Sequence, residues 1–352
     1  MRIYFFTGTG NSYWASRKLE EYATADGLDC RITPIDGLGK KEITAILPDE
    51  MTGFVYPTHG FSLPWYMLKF IIMFPPGKGY VFLVNSRAGM KMGKLFTPGL
   101  SGIAVLLPMI ILLAKGYRII GTVPLDTPSN WISIHPGLKP AIVSSIFEKR
   151  KKDLERLWSG ISKGKYHFPL KFFILLPLDI LVIQISFAYM IFGRFILARS
   201  YIPDNKCDGC GICAAHCPVG AIRMHGDNPY WTHRCESCMR CSNICPKSSI
   251  NSSVPVMILY SWVIFRIAAY NGLFNFLWIR LNAIVKPFDY ILYYMILWVA
   301  VLLLVYIQYL VIYYVRRSVF INRIITYTTP MKYWRRYIAP GFKGEYKSVK
   351  SE

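Results

Sequence analysis

Eight cysteines fall into two runs of the same spacing, and few features limit a chain more tightly. The first run is Cys207, Cys210, Cys213 and Cys217 followed by Pro218; the second is Cys235, Cys238, Cys241 and Cys245 followed by Pro246. Each spells C-x2-C-x2-C-x3-C-P, a spacing that holds a cubic [4Fe–4S] cluster. Two-residue gaps let a tight loop wrap three thiolates around one face of a cluster, and the fourth comes from the other run. The expected ligand sets are therefore Cys207, Cys210, Cys213 and Cys245 for one cluster, and Cys235, Cys238, Cys241 and Cys217 for the other. Gly209 and Gly211 leave room for backbone N–H groups to approach sulfur. Paired CxxC motifs also serve structural zinc, but two complete runs, each closed by proline, weigh against it. The ninth cysteine, Cys30, stands in an apparent strand and reads as a buried structural thiol.

The first 125 residues alternate strand-like and helix-like segments. Arg2 to Phe6 is an apolar run that leads into Thr7-Gly8-Thr9-Gly10-Asn11-Ser12, and Ala15, Leu19, Tyr22 and Ala23 then share a helical face. A strand, a hydroxyl-and-glycine turn and a helix N-terminus form an anion site. The lysine of a G-x-x-x-x-G-K-[ST] loop is missing, and so is the third glycine of a G-x-G-x-x-G turn. A monophosphate held by neutral donors is what remains. Further strands are expected at Arg31–Ile35, Gly53–Tyr56, Tyr80–Asn85 and Tyr117–Val123. Together they predict a flavodoxin-like, doubly wound, five-stranded parallel α/β sheet with its ligand at the switch point between strands one and three. The loops Pro57-Thr58-His59-Gly60-Phe61-Ser62 and Asn85-Ser86-Arg87-Ala88-Gly89 would then flank a flavin ring. Two readings stay open for His59, a flavin contact or an exposed loop residue, and two for Arg87, a flavin partner or a solvated charge. Ile103–Ala114 is too short to span a bilayer and reads as the helix before strand five. Pro124–Trp131 reads as a polar loop at the ligand end, and two readings stay open for Trp131, a cover for the flavin or ordinary packing.

The phosphate loop TGTGNS, the stretch LDTPSNWISIHPG from Leu125 to Gly137 and the paired cysteine runs resemble a fusion family often called EFR-family ferredoxins. The resemblance covers about residues 1–250. It implies a flavodoxin-like FMN domain over 1–145 and a small α+β ferredoxin domain with two [4Fe–4S] clusters over 201–252, with electrons passing between them. Its phosphate loop falls on Thr7 to Ser12, and its cluster ligands fall on the eight cysteines.

Between and beyond these domains the chain is apolar and basic. It is 53% hydrophobic with a mean hydropathy of +0.31 and a formal net charge of +21, too apolar for an ordinary soluble protein. The connector, 146–200, begins with Lys149-Arg150-Lys151-Lys152, and its stretch 172–193 carries only Asp179 as a charge. A single crossing there would separate flavin from clusters, and an ionised Asp costs about 2.5–3.5 kcal/mol at a bilayer centre. Interfacial helices or a re-entrant pair fit better. From Tyr290 to Val315 the sequence is uncharged, with Arg316-Arg317 after it. It predicts a transmembrane helix, and Val254–Ile279 a weaker partner, giving a hairpin over 253–318 and a basic cytoplasmic tail over 319–352. Met1 leads straight into a strand, so no signal peptide is expected, and reduced thiolates point to the cytoplasmic face of the cell membrane.

Basic residues cluster beside apolar segments, which favours anionic membrane lipid over nucleic acid as a partner. All six histidines lie outside the expected spans, so a bis-histidine haem in the bilayer is not expected. The expected function is a membrane-anchored electron carrier that passes electrons between FMN and two [4Fe–4S] clusters. Its partner would be an unidentified redox protein or small electron donor or acceptor. The alternatives are a flavin-dependent reductase of a quinone or small molecule, and an iron–sulfur redox sensor. No acid–base or nucleophile constellation of an enzyme with its own substrate is visible.

Overall fold

The computed structural model describes residues 1–38, 46–48, 50–92, 95–269 and 289–344. The first domain carries β1 (Arg2–Phe5), α1 (Asn11–Ala25), β2 (Arg31–Pro34), β3 (Met51–Pro57), α2 (Trp65–Met73), β4 (Tyr80–Met92), β5 (Leu95–Thr97), α3 (Ile103–Ala114) and β6 (Arg118–Pro128). The parallel strands run in the order β2-β1-β3-β4-β6. That is the flavodoxin-like order, with its switch point between β1 and β3. A sixth strand that the sequence did not suggest, β5, folds back antiparallel on the far end of β4.

Side chains alternate across the sheet, as a period of two requires. Tyr4, Phe54, Val81 and Ile119 face a core that contains Met67 and Ile71 of α2 and Val105 and Leu112 of α3. Ile3, Phe5, Val55 and Phe82 face Ala15, Leu19 and Ala23 of α1 and Leu154, Leu157 and Trp158 of α4 (Pro140–Ile161). Gly53 lets two strands pack closely, because a Cβ there would lie 2.4 Å from the Phe82 ring.

Two stretches read from sequence as loops are strand instead. β4 and β6 stay paired from Tyr80 to Gly89 and from Arg118 to Pro128, with Arg87 directly across from Asp126. The pairing continues because an ion pair sits between the strands: Arg87 Nε lies 2.7 Å from Asp126 Oδ1, and both residues are buried. Arg150 of α4 and Lys171 also lie close to this carboxylate, at 3.4 and 3.7 Å. Cys30 directly precedes β2 and is half-buried, and burial raises its thiol to about 11.

The connector folds as α5 (Leu170–Leu181), α6 (Ile183–Ala188), a π-helical turn at Tyr189–Gly193 and α7 (Arg194–Ala198). It bends by 63° at the break after α5, so it is no straight span. One face docks on the flavodoxin-like domain. Asp179 is buried, and its Oδ1 accepts the N–H groups of Ser101 at 2.7 Å and Gly102 at 2.9 Å. Ser186 Oγ donates to the Phe61 carbonyl at 2.7 Å. The charge that interrupts the apolar stretch therefore caps a loop of the neighbouring domain. The other face leaves Leu170, Phe173, Ile174, Leu181 and Phe187 exposed.

The cluster domain pairs β7 (Tyr201–Pro203) with β10 (Ile250–Ser252), and β8 (Ile222–His225) with β9 (Asn228–Trp231). Short helices α8 (Ile212–Ala215) and α9 (Arg240–Ile244) follow corresponding positions of the two cysteine runs. Then come α10 (Val254–Ala269), α11 (Asp289–Val315) and α12 (Val319–Tyr327). Within α11, Met295–Val315 is long and apolar enough to cross a membrane by length and composition. Val256 and Tyr260 near the start of α10 cluster with Tyr309 and Tyr313 near the end of α11, as in an antiparallel pair. The turn of the expected hairpin, residues 270–288, lies outside the described residues.

One face of the last third of α11 packs on the cluster domain, while Ile307 and Val311 stay exposed. Tyr309 OH accepts the Trp231 N–H at 3.0 Å, and the Arg199 guanidinium sits 4.5 Å from the Tyr309 ring. Residues 319–344, expected as a basic tail, pack onto the protein as a strap. Asn322 Nδ2 donates to the Pro203 carbonyl at 3.1 Å, and Met331, Tyr337, Ala339 and Phe342 are buried. Counting basic residues hid these four, which carry the packing.

Replacing Asp179 with Ala leaves two buried N–H groups unpaired, each costing about 1–3 kcal/mol. We expect D179A to unfold at lower urea and to be cut by protease between α4 and α6, while binding as much iron as the wild type.

Candidate functional site

Local backbone geometry shapes both cysteine loops. In the first run, Gly209 and Gly211 have φ of 72° and 73°; in the second, Ser237 and Met239 occupy the matching positions at 52° and 63°. The loops share one course, although only the first uses the residue that adopts it freely. A left-handed turn points successive N–H groups inward. The Ser237 N–H lies 3.4 Å from Cys235 Sγ, and the Ala221 N–H lies 3.2 Å from Cys217 Sγ.

The structure brings Cys207, Cys210, Cys213 and Cys245 together around one small cavity, with Met224 and Ile250 in its wall. Burial raises the Cys213 thiol to about 11, and Cys207, Cys245 and Cys210 crowd it further. Burial also raises Cys235 well above its ordinary value, with Cys241, Cys217 and Cys238 as charged neighbours. The structure thus places Cys245 with the first run and Cys217 beside Cys235 of the second. Among the described residues, no three His, Cys, Asp or Glu side chains converge on a point suited to a single metal ion. The charge of bound iron would favour the thiolate forms that burial disfavours.

A second cavity, of about 340 Å³, opens at the switch point of the sheet. Its wall includes Thr7, Gly8, Thr9 and Asn11 from the phosphate loop, and Pro57, Thr58, His59 and Gly60 from the loop after β3. Ser86 and Arg87 of β4 and Trp131 also line it. Four expected residues do not. Gly10 lies beneath the Phe342 ring, with φ of 100° and no room for a Cβ. Ser12 Oγ turns to Ser86 Oγ at 2.9 Å. Asn85 is buried within β4, its Oδ1 accepting the Thr58 hydroxyl at 2.9 Å. Gly89 packs against Asp126.

Sequence reading missed Pro98, Gly99 and Leu100 after β5, Tyr189 and Leu197 of the connector, and Ser237 of the second cysteine loop, all of which line this cavity. No local signal marks them. Tyr189 is one aromatic in an apolar stretch and reaches the cavity because Gly60, at φ 55°, has no side chain to exclude it.

Three polar atoms in residues of this wall are buried without a hydrogen-bond partner: Thr9 Oγ1, His59 Nδ1 and Arg87 Nη2. Such groups are rare and call for a ligand or water. His59 is neither of the two alternatives in simple form. It is buried, and burial lowers its pKa to about 4 against the opposing pull of the Glu236 backbone, so the imidazole is neutral near pH 7. A loop of small residues at a helix N-terminus, an apolar slot and these unsatisfied groups fit a flavin mononucleotide. Asn11 is already committed: its Nδ2 donates to Thr127 Oγ1 at 3.0 Å and the Pro128 carbonyl at 2.9 Å.

The two sites share a wall. Gly8 abuts the second cysteine loop so closely that a Cβ would lie 2.1 Å from the Cys238 carbonyl oxygen. Arg240 is buried, and its guanidinium donates to the carbonyls of Gly8 at 3.0 Å, Thr7 at 2.7 Å and His216 at 3.2 Å. Glu236, beside Cys235, accepts the Trp65 and Tyr66 N–H groups at the start of α2, at 2.9 and 3.1 Å. Burial raises Glu236 to about 7 against the pull of Arg194 and those N–H groups. The strap closes the other side, with the Ala339 N–H on the Thr9 carbonyl at 2.8 Å and Tyr337 OH on Asn11 Oδ1 at 2.5 Å.

Fold and site together define an iron–sulfur protein with flavodoxin–ferredoxin architecture. Residues 206–250 match the family described as a 4Fe-4S dicluster domain. A stretch of 84 residues is 31% identical to the trichloroethene reductive dehalogenase of Dehalococcoides mccartyi, covering 20% of this chain and 15% of that protein's length. Among solved structures, the chain is similar to the Fusobacterium nucleatum flavodoxin bound to flavin mononucleotide (17% identity, TM-score 0.31, 47% of this chain and 97% of that one). It is also similar to a flavodoxin of Streptococcus pneumoniae TIGR4 (14%, TM-score 0.30, 44% and 97%). The strand order, and not these low scores, defines the fold.

Arg240→Met removes the donors of three buried carbonyls, at about 1.5–3 kcal/mol for each bond to a charged group. We expect R240M to part the two domains, seen as a second unfolding transition in calorimetry where the wild type shows one.

Proposed function

We propose that the chain is a membrane-attached iron–sulfur flavoprotein that moves electrons between FMN and two [4Fe–4S] clusters. The observation that carries this reading is the shared wall: Ser237, which stands between Cys235 and Cys238, lines the same cavity as Thr9 and His59. A flavin takes two electrons and can give them up singly, whereas a cluster moves one at a time. The protein's task is to hold the two groups close and to keep water out. Thr7, Gly8, Thr9 and the backbone of Asn11 would receive the phosphate at the N-terminus of α1. Pro57–Gly60, Trp131 and Tyr189 would enclose the ring system, and neutral His59 and Arg87 Nη2 would offer it polar partners. The first cluster would sit in the cavity of Cys207, Cys210, Cys213 and Cys245, nearer to α11 and its end at Arg316-Arg317. The exposed apolar faces of α5, α6 and α11, flanked by arginine and lysine, support attachment at a lipid surface on the cytoplasmic side. The electron donor or acceptor would be a redox protein or a small molecule that reaches the cluster domain.

Anaerobically purified protein should carry about eight iron atoms and one FMN per chain. About four irons would overturn the two-cluster reading, and FAD the phosphate-loop reading. Thr9→Val should weaken FMN binding about tenfold, a loss near the ~1.4 kcal/mol of one hydrogen bond, with iron content unchanged.

The membrane reading has its own test. Full-length protein should stay in the pellet after carbonate washing. Lysine at both Met295 and Ile307, exposed on α11, should release most of it, since each charge costs about 2.5–3.5 kcal/mol in lipid. Wild-type protein that washes off would end the transmembrane assignment.

A further inference from the structure

A cavity of about 610 Å³ lies between α11 and the outer edge of the cluster domain, apart from both sites above. One side is apolar, formed by Val299, Leu302 and Leu303 of α11. The other is basic, with Arg223 on β8 and His233 and Arg234 just before the second cysteine run. These three are exposed, and neither Arg223 nor Arg234 pairs with a carboxylate among the described residues. No Asp or Glu lines the cavity. A third arginine in the wall, Arg199, is spoken for. It is buried, its Nη1 donates to the Trp231 carbonyl, and it lies against the Tyr309 ring.

We propose that this cavity binds one phospholipid with an anionic headgroup. The phosphate would sit between Arg223 and Arg234, and an acyl chain would run along Val299, Leu302 and Leu303. Charge complementarity favours this occupant, because two unpaired guanidinium groups with no carboxylate call for an anion. A neutral quinone brings no charge to meet them. The apolar wall is continuous with the exposed face of α11, where Met295, Ile296 and Ile307 also face outward. The volume suits a headgroup and the first part of a chain. The inference rests on α11 as a lipid-facing helix, but its test does not need a bilayer.

The test titrates full-length holoprotein in a maltoside detergent with dihexanoylphosphatidylglycerol, dihexanoylphosphatidylcholine and inorganic phosphate, read by calorimetry and native mass spectrometry. The anionic lipid should bind at one per chain, and more tightly than either control. At about 1 kcal/mol for each basic residue, the double variant R223Q/R234Q should bind it about thirtyfold more weakly, with wild-type iron and flavin. Leu302→Trp, which fills the apolar side, should also lower affinity. Equal binding of the zwitterionic lipid, or unchanged binding by the double variant, would overturn the proposal. So would inorganic phosphate competing at the lipid's own concentration, or a stoichiometric quinone that occupies the cavity. A chain that leaves membranes on carbonate washing yet binds the short-chain lipid supports this site while removing the transmembrane reading.

Discussion

A single guanidinium joins the halves of this molecule. Arg240 immediately precedes Cys241, the third cysteine of the second run, and is almost wholly buried, yet its main partners are backbone carbonyls. Two of them belong to the phosphate loop at the opposite end of the chain, more than 230 residues away. Those carbonyls are buried and would otherwise lie unpaired, a costly state. A buried cation is also costly unless hydrogen-bonded in full. Each solves the other's problem, so the two loops are held in register. Asp36 lies 3.9 Å from the same guanidinium and adds a carboxylate to the arrangement.

Around that contact the structure is closed by latches that reach across domains. Glu236 caps α2 from the cluster loop, and Asp179 caps the loop before α3 from the connector. In both cases a buried carboxylate meets two N–H groups that have no partner in their own domain, as the first turn of a helix leaves them. From the strap the polarity is reversed: Tyr337 OH and the Ala339 N–H donate to Asn11 Oδ1 and the Thr9 carbonyl. The cavity at the head of the sheet is walled by its own domain, by the connector and by the cluster loop. The closeness of the two sites follows from this packing and from nothing in the ligand motifs themselves.

The exposed apolar elements obey the same economy. The long helix α11 meets the connector at its π-helical turn, where Trp298 Nε1 donates to the Ile191 carbonyl at 3.1 Å. The end of α11 serves as a pedestal for β9, with the Tyr309 ring tilted against Tyr230 and the Tyr313 ring edge-on to it. An apolar helix with aromatic residues at one end is commonly read as a span with an interfacial belt. Here those tyrosines are buried against protein. The uncharged stretch read from sequence is thus longer than the part free to meet lipid.

Period-two alternation and glycine turns made the parallel sheet legible from residues alone. Ile3 and Phe5 against Tyr4 and Phe6 already mark a strand buried on both faces, and Ala15, Leu19 and Ala23 already mark the helix that covers one of them. The cysteine spacing likewise marked the iron–sulfur domain, because loop length limits which thiolates can reach one cluster. Other features were decided only by tertiary structure. Arg87 looked free until Asp126 appeared across the strand, and Asp179 looked like a charge in lipid until Ser101 and Gly102 met it. The basic tail became a strap because Tyr337 and Phe342 found the phosphate loop. The reason is physical: periodicity and spacing report contacts within a few residues, where the chain itself sets geometry. A buried ion or a capping carboxylate is explained by its partner, and these partners lie 39, 78 and 233 residues away. The paired cysteine runs announce iron–sulfur chemistry by themselves; only the packing of Gly8 against Cys238 sets the second run beside the cavity at the head of the sheet.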